Sequence, residues 1–148
     1  MISCTEFIPA YNELFVFLEN KADKQAVVTF WESLSDKFLY NLREIVKAKG
    51  VAGCFEYWSR TLAEEAADCK ITLDENADEF TIEMKHCPSK GRLISDRHVK
   101  PYHSYCEHCD ILYRRVLETL GLEYSIDLSN CGNAQCRLVA RNSIRPKV

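Results

Sequence analysis

The chain has 148 residues, an apolar share of 47% and a formal net charge of -3. This length fits one domain with a substantial core, so we expect a single domain over 1–148. The nearly balanced charge argues against binding to nucleic acid through phosphate neutralisation, so we expect no such partner. No apolar run reaches the ~18 residues of a transmembrane helix, so we expect no membrane span either.

Charge is unevenly distributed along the chain. Residues 1–85 carry 9 Lys and Arg against 16 Asp and Glu, whereas residues 86–148 carry 10 against 6. A basic surround favours thiolates, and it also attracts a small carboxylate ligand, for which Arg92, Arg97 and Arg114 are candidates. Salt bridges between an acidic half and a basic half are the alternative explanation.

The chain has eight cysteines, whose role depends on the compartment. Its first residues lack the basic segment and following apolar stretch of a signal peptide, so we expect a cytoplasmic protein. Thiols stay reduced there, and cysteines then indicate metal or redox chemistry more than a disulfide framework.

The first part of the chain, about residues 1–68, has apolar residues at helical intervals. The pattern predicts one helix from about Thr5 to Glu19 and a long second helix from Asp23, its N-cap, to Gly50. Ser33 and Ser35-Asp36 mark points at which the second helix could divide. A third helix is predicted from about Val51 to Ala67, with Cys54 buried.

The second part, about residues 69–141, alternates between apolar and polar positions. Residues 70–73 and 79–84 predict one β-hairpin, and residues 122–128 and 134–140 a second. Between them we expect an irregular loop over 88–101 and an amphipathic helix up to Leu120, stopped by Gly121. The order is helices followed by ββαββ, which predicts an α+β fold with helices packed on an antiparallel sheet.

The segment from His86 to Cys109 holds all four histidines and three cysteines. Thiolate and imidazole are the ligands that zinc prefers, so this half is predicted to bind metal, with zinc first. The expected ligands are Cys87, Cys106 and Cys109, with His103 fourth because it lies three residues before Cys106 on one side of a helical turn. Competitors for the fourth position are Cys136, His108, Cys131, His98 and His86.

Three alternatives stay open, because the spacing matches no standard zinc finger. An iron–sulfur cluster could use Cys87, Cys106, Cys109 and Cys131 or Cys136, although the spacing matches no ferredoxin run. A thiol redox protein would use Cys106 as nucleophile and Cys109 as resolving thiol, with helix dipole and His108 favouring the thiolate. A non-catalytic interaction module with structural zinc would present a large exposed apolar patch.

The Cys87-Pro88 pair, the helix around Cys106-Glu107-His108-Cys109 and the closing Cys136-Arg137-Leu138 resemble a group of small, cysteine-rich bacterial cytosolic proteins of uncharacterised function. More distantly, residues 70–141 are similar to L-2-amino-thiazoline-4-carboxylate hydrolases and to vinyl-reductase-type ligand-binding domains. The resemblance implies an α+β fold, a zinc site and a pocket for a small organic ligand between helices and sheet. It is compatible with a hydrolase or a sensor.

Overall fold

The computed structural model describes residues 4–143. Within them lie six helices and four strands in an α+β arrangement, as the sequence predicts. The helices are α1 (Cys4–Lys21), α2 (Lys24–Phe38), α3 (Tyr40–Lys49), α4 (Val51–Glu64), α5 (Pro88–Ser95) and α6 (Glu107–Thr119). The strands are β1 (Asp68–Asp74), β2 (Glu79–His86), β3 (Leu122–Asp127) and β4 (Cys136–Asn142). Of the helices described, none is long and apolar enough to cross a membrane.

The four strands form one antiparallel sheet in the order β1-β2-β4-β3. The two predicted hairpins therefore join through β2 and β4, which become the central strands. Ile82 of β2 pairs with Leu138 of β4, which pairs with Ile126 of β3. Because side chains alternate along a strand, this register places the apolar residues of three strands on one face.

The helices cover that apolar face and divide the interior into two clusters. The first cluster joins the sheet to α3, α4 and α6, with Trp58 stacked on Phe80. The second is largely aromatic and joins α1 and α2 to the segment before α6, where Phe15 packs at the edge of Trp31. Of the cysteines in the predicted metal site, Cys87 follows β2, Cys106 is the N-cap of α6 and Cys109 lies in the first turn of α6.

The predicted loop over 88–101 is wrong in its first half, because residues 88–95 form α5. Pro88 occupies the first turn, where its missing N–H group has no intrahelical partner to lose. The Cys87 side chain caps the helix by accepting from the backbone N–H of Lys90, and Leu93 is fully buried. A single apolar anchor on a short helix leaves too little periodicity to recognise in the sequence.

The long second helix is in fact two helices, and the break is at Leu39 rather than at Ser33 or Ser35-Asp36. Ser35 stays helical because it is fully buried and its hydroxyl donates to the backbone carbonyl of Leu112 at 2.8 Å. Asp23 caps α2 as predicted, and Gly50 follows α3 with a φ of +58°. That left-handed value is readily adopted by glycine.

Candidate functional site

Within residues 4–143, five cysteines from separate parts of the chain line one cavity of about 30 Å³. Cys87 follows β2, Cys106 and Cys109 begin α6, Cys131 lies in a short 3₁₀ turn, and Cys136 begins β4. We call this space the cysteine cavity. The three cysteines predicted from the 86–109 segment are thus together, and the final hairpin adds two more.

Strand pairing explains how the distant cysteines meet. Met84 of β2 pairs with Cys136 of β4, and the backbone N–H of Cys87 donates to the carbonyl of Ala134 at 2.7 Å. The end of one central strand is thereby fixed beside the start of the other. Since α6 packs against the sheet, its first turn completes the ring of thiols.

Two helix N-termini point their positive ends toward the cysteine cavity. Cys87 is the N-cap of α5, and its Sγ accepts from the backbone N–H of Lys90 at 3.5 Å. Cys106 is the N-cap of α6, and Lys90 also lines the cavity. Partial positive charge at helix N-termini and a nearby ammonium group both stabilise thiolates.

Three of the cavity thiols, those of Cys106, Cys109 and Cys136, nevertheless hold their protons at neutral pH. The pKa of Cys106 is raised to about 12, first by burial and then by the neighbouring thiol of Cys131. The pKa of Cys136 rises to about 11, first through burial and then through Cys87. Burial also raises the pKa of Cys109, with Cys87 and Cys136 adding to the effect. A cation would have to displace these protons in order to bind.

The structure does not place His103, the predicted fourth ligand, in the cavity lining. Its side chain is 61% exposed, and its Nε2 lies 2.9 Å from a carboxylate oxygen of Glu19. His98 lies 3.1 Å from Asp96 and is 90% exposed. His86 is exposed and packs over the backbone of Gly91. These imidazoles are occupied by other contacts on the surface.

His108 is the one predicted histidine that lies beside a cavity thiol. Its Nδ1 contacts the carbonyl oxygen of Tyr105, and its Nε2 lies 3.4 Å from the Sγ of Cys109. Burial lowers the pKa of His108 to about 4, so the ring is neutral. Because a carbonyl only accepts, Nδ1 carries the hydrogen and Nε2 is the acceptor.

The three arginines suggested for a carboxylate ligand lie apart from the cysteine cavity. Arg114 is held by Asp110 and Glu118 and also donates to the carbonyl of Tyr124. Arg97 is exposed, and Arg92 has a buried Nη1 without a hydrogen-bond partner in the structure. They do not converge on one anion site.

A second cavity of about 230 Å³ adjoins the cysteine cavity, and we call it the aromatic pocket. Cys87, Cys109 and Cys136 line both spaces, so they form a shared wall. Trp58 on α4 and Tyr113 on α6 line this pocket. Helical periodicity assigns both residues to the core. Core and pocket lining have the same pattern, so sequence alone did not separate them.

An apolar groove of about 660 Å³ is lined by α1 and α2, with Leu112 of α6 also in its lining. Phe7 and Phe38 at its edges are 54% and 77% exposed. This is the exposed patch that an interaction module would need. The cysteine cavity and the aromatic pocket are features that such a module would not need.

Among residues 4–143, no three His, Cys, Asp or Glu side chains are already arranged to hold a metal ion. The thiols therefore line a common space without lying at coordinating positions. The donor chemistry still fits, because zinc takes four cysteine sulfurs at about 2.3 Å. Rotation about the short cysteine side chains is the movement that ligation would require.

The chain matches no protein-family model, no curated protein and no solved structure.

Proposed function

We propose that the protein is a cytoplasmic zinc-binding module in which Cys87, Cys106, Cys109 and Cys136 ligate one ion. The observation that carries this proposal is the convergence of cysteines from three separate segments on one cavity of atomic size. Cysteines that only fill the core as small apolar residues, such as Cys54, have no reason to lie beside one another. Four ligands make the site structural, holding the ends of the central strands to the start of α6.

The choice of four ligands follows from which thiols affect one another. Cys87 and Cys106 both contribute to the raised pKa of Cys109, and Cys87 also acts on Cys106. Cys136 interacts with both Cys87 and Cys109. Cys131 acts more strongly on Cys106 than Cys87 does and also acts on Cys136, but it does not contribute to the raised pKa of Cys109, so we place it outside the ligand set.

Charge compensation also supports a bound ion. Four thiolates around a divalent cation leave a net negative charge, which would be costly in a buried site. The N-termini of α5 and α6 and the ammonium group of Lys90 offset this charge. The N–H group of Lys90 bonded to Cys87 is the kind of contact that orients a metal ligand.

The size of the cavity favours a single ion over an iron–sulfur cluster. A space of about 30 Å³ holds about one or two water-sized atoms. A four-iron, four-sulfide cubane has eight core atoms and needs a much larger enclosure. Binding of zinc by four of these thiols would require rotation about the cysteine side chains.

The alternative of a thiol redox pair has less support. A catalytic Cys106 needs a low pKa, whereas burial raises its pKa to about 12. The neighbouring His108 is buried and neutral, so it supplies no positive charge to a thiolate. A hydrolase is also less favoured, because four thiolate ligands leave no open position for water.

The decisive experiment measures zinc in protein purified without chelator, by plasma mass spectrometry and by a chromophoric chelator after denaturation. We expect one zinc per chain, and less than about one-tenth equivalent of any transition metal would overturn the proposal. Cys136→Ser should lose the metal, whereas Cys131→Ser, its matched control in the same cavity, should keep it. Loss in Cys131→Ser and retention in Cys136→Ser would reject the proposed ligand set.

A further inference from the structure

We propose that the aromatic pocket binds a neutral molecule of one ring that carries a hydrogen-bond donor. This inference rests on the proposed function, because the zinc ligands Cys87, Cys109 and Cys136 are also the wall of this pocket. It assigns the pocket a ligand class that differs from the carboxylate suggested by the basic half of the sequence.

The volume of the pocket sets the size of the ligand. An apolar protein cavity of about 150 Å³ accommodates benzene. The aromatic pocket measures about 230 Å³, which leaves room for one six-membered ring and a short substituent.

The walls favour a flat, largely apolar molecule. Trp58 and Tyr113 meet edge to face, with ring centroids 5.2 Å apart, and line the helical side. Ile82, Met84 and Leu138 line the sheet side. A planar ring can contact aromatic side chains on one side and branched or flexible side chains on the other.

The polar groups of the pocket favour a ligand that donates. The Nε2 of His108 is an acceptor, because its Nδ1 hydrogen points to the carbonyl of Tyr105, and a ligand would share this acceptor with the Cys109 thiol 3.4 Å away. The hydroxyl of Ser89, 2.6 Å from that of Tyr105, can accept a second hydrogen bond while donating to Tyr105. Both His108 and Ser89 line the pocket, so a hydroxyl or amine on the ligand has two acceptors within it.

The charges in the lining disfavour an anion. Among residues 4–143, no Lys or Arg lines the aromatic pocket, and Glu65 is the one carboxylate that does. A carboxylate entering this space would lose its hydration without gaining a cationic partner. Arg92, Arg97 and Arg114 do not line the pocket, so they cannot supply one there.

The shared wall couples the two sites. Zinc fixes the three shared cysteines, and a ligand in the pocket packs against the same side chains. Once zinc has ordered these cysteine side chains, the pocket ligand loses less conformational entropy of the protein when it binds, and the converse also holds. By linkage, zinc and the pocket ligand should each raise the affinity for the other. The arrangement is that of a sensor whose ligand pocket has a metal-supported wall.

The test uses zinc-loaded full-length protein and three probes of one ring size, namely benzyl alcohol, toluene and benzoate. Amide and indole NMR signals follow binding, and Trp31, in the other core cluster, serves as internal reference for Trp58. We expect benzyl alcohol to bind saturably and to shift the Trp58 signal, toluene to bind more weakly, and benzoate to bind at least about tenfold more weakly at pH 7. Benzoate binding as tight as that of benzyl alcohol would overturn the ligand class.

Two matched substitutions locate the site. Leu62→Trp fills the aromatic pocket and should abolish binding, whereas Leu14→Trp fills the apolar groove and should leave binding unchanged. The reverse result would overturn the assignment. Zinc content is measured on the same samples: zinc-loaded protein that binds no benzyl alcohol overturns this inference. Protein that takes up no added zinc overturns the zinc proposal, and Leu62-dependent binding of benzyl alcohol to that protein would leave the pocket assignment standing.

Discussion

The side chain of Asn12 on α1 is hydrogen-bonded to the backbone around Tyr102, ninety residues later in the chain. Its Oδ1 accepts from the N–H of Tyr102 at 2.7 Å, and its Nδ2 donates to the carbonyl of Lys100 at 3.0 Å. Asn12 has no exposed surface. It therefore satisfies two backbone groups of the segment that leads directly into Cys106 and the start of α6.

We expect Asn12→Ala to destabilise the protein by about 3 kcal/mol, because it leaves two backbone groups without partners in a buried position. Asn20→Ala, an exposed change on the same helix, should cost less than about 0.5 kcal/mol. Urea unfolding followed by circular dichroism gives both values. Equal effects of the two substitutions would show that the contact does not hold the segment.

Two buried glycines should respond differently to alanine. A Cβ at Gly53 would lie 2.5 Å from the backbone oxygen of Ile45 and 2.9 Å from the Cα of Val46, so α3 and α4 would have to separate. A Cβ at Gly91 would meet the end of the exposed His86 side chain, which can swing away.

Gly53→Ala should therefore cost about 2–3 kcal/mol, the range of overpacked cores, whereas Gly91→Ala should cost less than about 1 kcal/mol. Chemical denaturation measures both. A crystal structure of the Gly91 variant should show a new rotamer of His86 with little backbone movement. A larger loss for Gly91→Ala than for Gly53→Ala would contradict this interpretation.

The fold class and the proximity of three of the five cavity cysteines can be predicted from the sequence, because both depend on local patterns. Alternation over 79–84 and helical spacing up to Leu120 determine where β2 and α6 lie, and these elements position Cys87, Cys106 and Cys109. The contribution of Cys136 depends on the pairing of β2 with β4, which is a long-range contact. Local periodicity contains no information about which hairpins join.

His103 illustrates the limit of arguments from spacing. Its position three residues before Cys106 would place both on one side of a helical turn, but α6 begins only at Glu107. The residues before it lie outside the helix, so helical spacing does not apply to them. Instead, His103 turns toward Glu19 of α1, a partner that no local pattern indicates.

Cys54 provides a pH-dependent prediction away from the cavity. Burial raises its pKa from 9.0 to about 12, so the folded protein holds the thiol proton more tightly than the unfolded chain does. The associated stability is fully present below pH 9 and is lost as the pH rises from 9 toward 12. Above pH 9 the unfolding free energy of the wild type should fall with an extra slope of up to about 1.4 kcal/mol per pH unit.

Cys54→Ala removes this titrating group, so its unfolding free energy should fall less steeply between pH 9 and 10.5. Guanidinium denaturation under reducing conditions measures the difference in slope between the two proteins. Other thiols and tyrosines contribute equally to both curves and cancel in the comparison. Parallel curves would mean that Cys54 does not titrate differently in the folded state.

Cys87→Ser separates the proposed role of Cys87 as a zinc ligand from its role as the N-cap of α5. Serine is among the preferred N-cap residues, so the substitution keeps or improves the cap of α5, while a serine hydroxyl is a poor zinc ligand. We expect the metal-free variant to be as stable as metal-free wild type. Zinc at a hundred times its dissociation constant should stabilise wild type by about 2.7 kcal/mol and leave the variant unchanged.

The matched control is Cys54→Ser, which places a hydroxyl in the core without touching the cavity. It should lose about 1–3 kcal/mol with or without zinc and show the full gain when zinc is added. Hydrogen exchange should locate the gain in wild type: amides of residues 86–91, 106–110 and 131–136 should become protected, while those of α2 should not change. An equal gain from zinc in Cys87→Ser and wild type would show that Cys87 is not a ligand, because both proteins have the same cap and differ only in the sulfur.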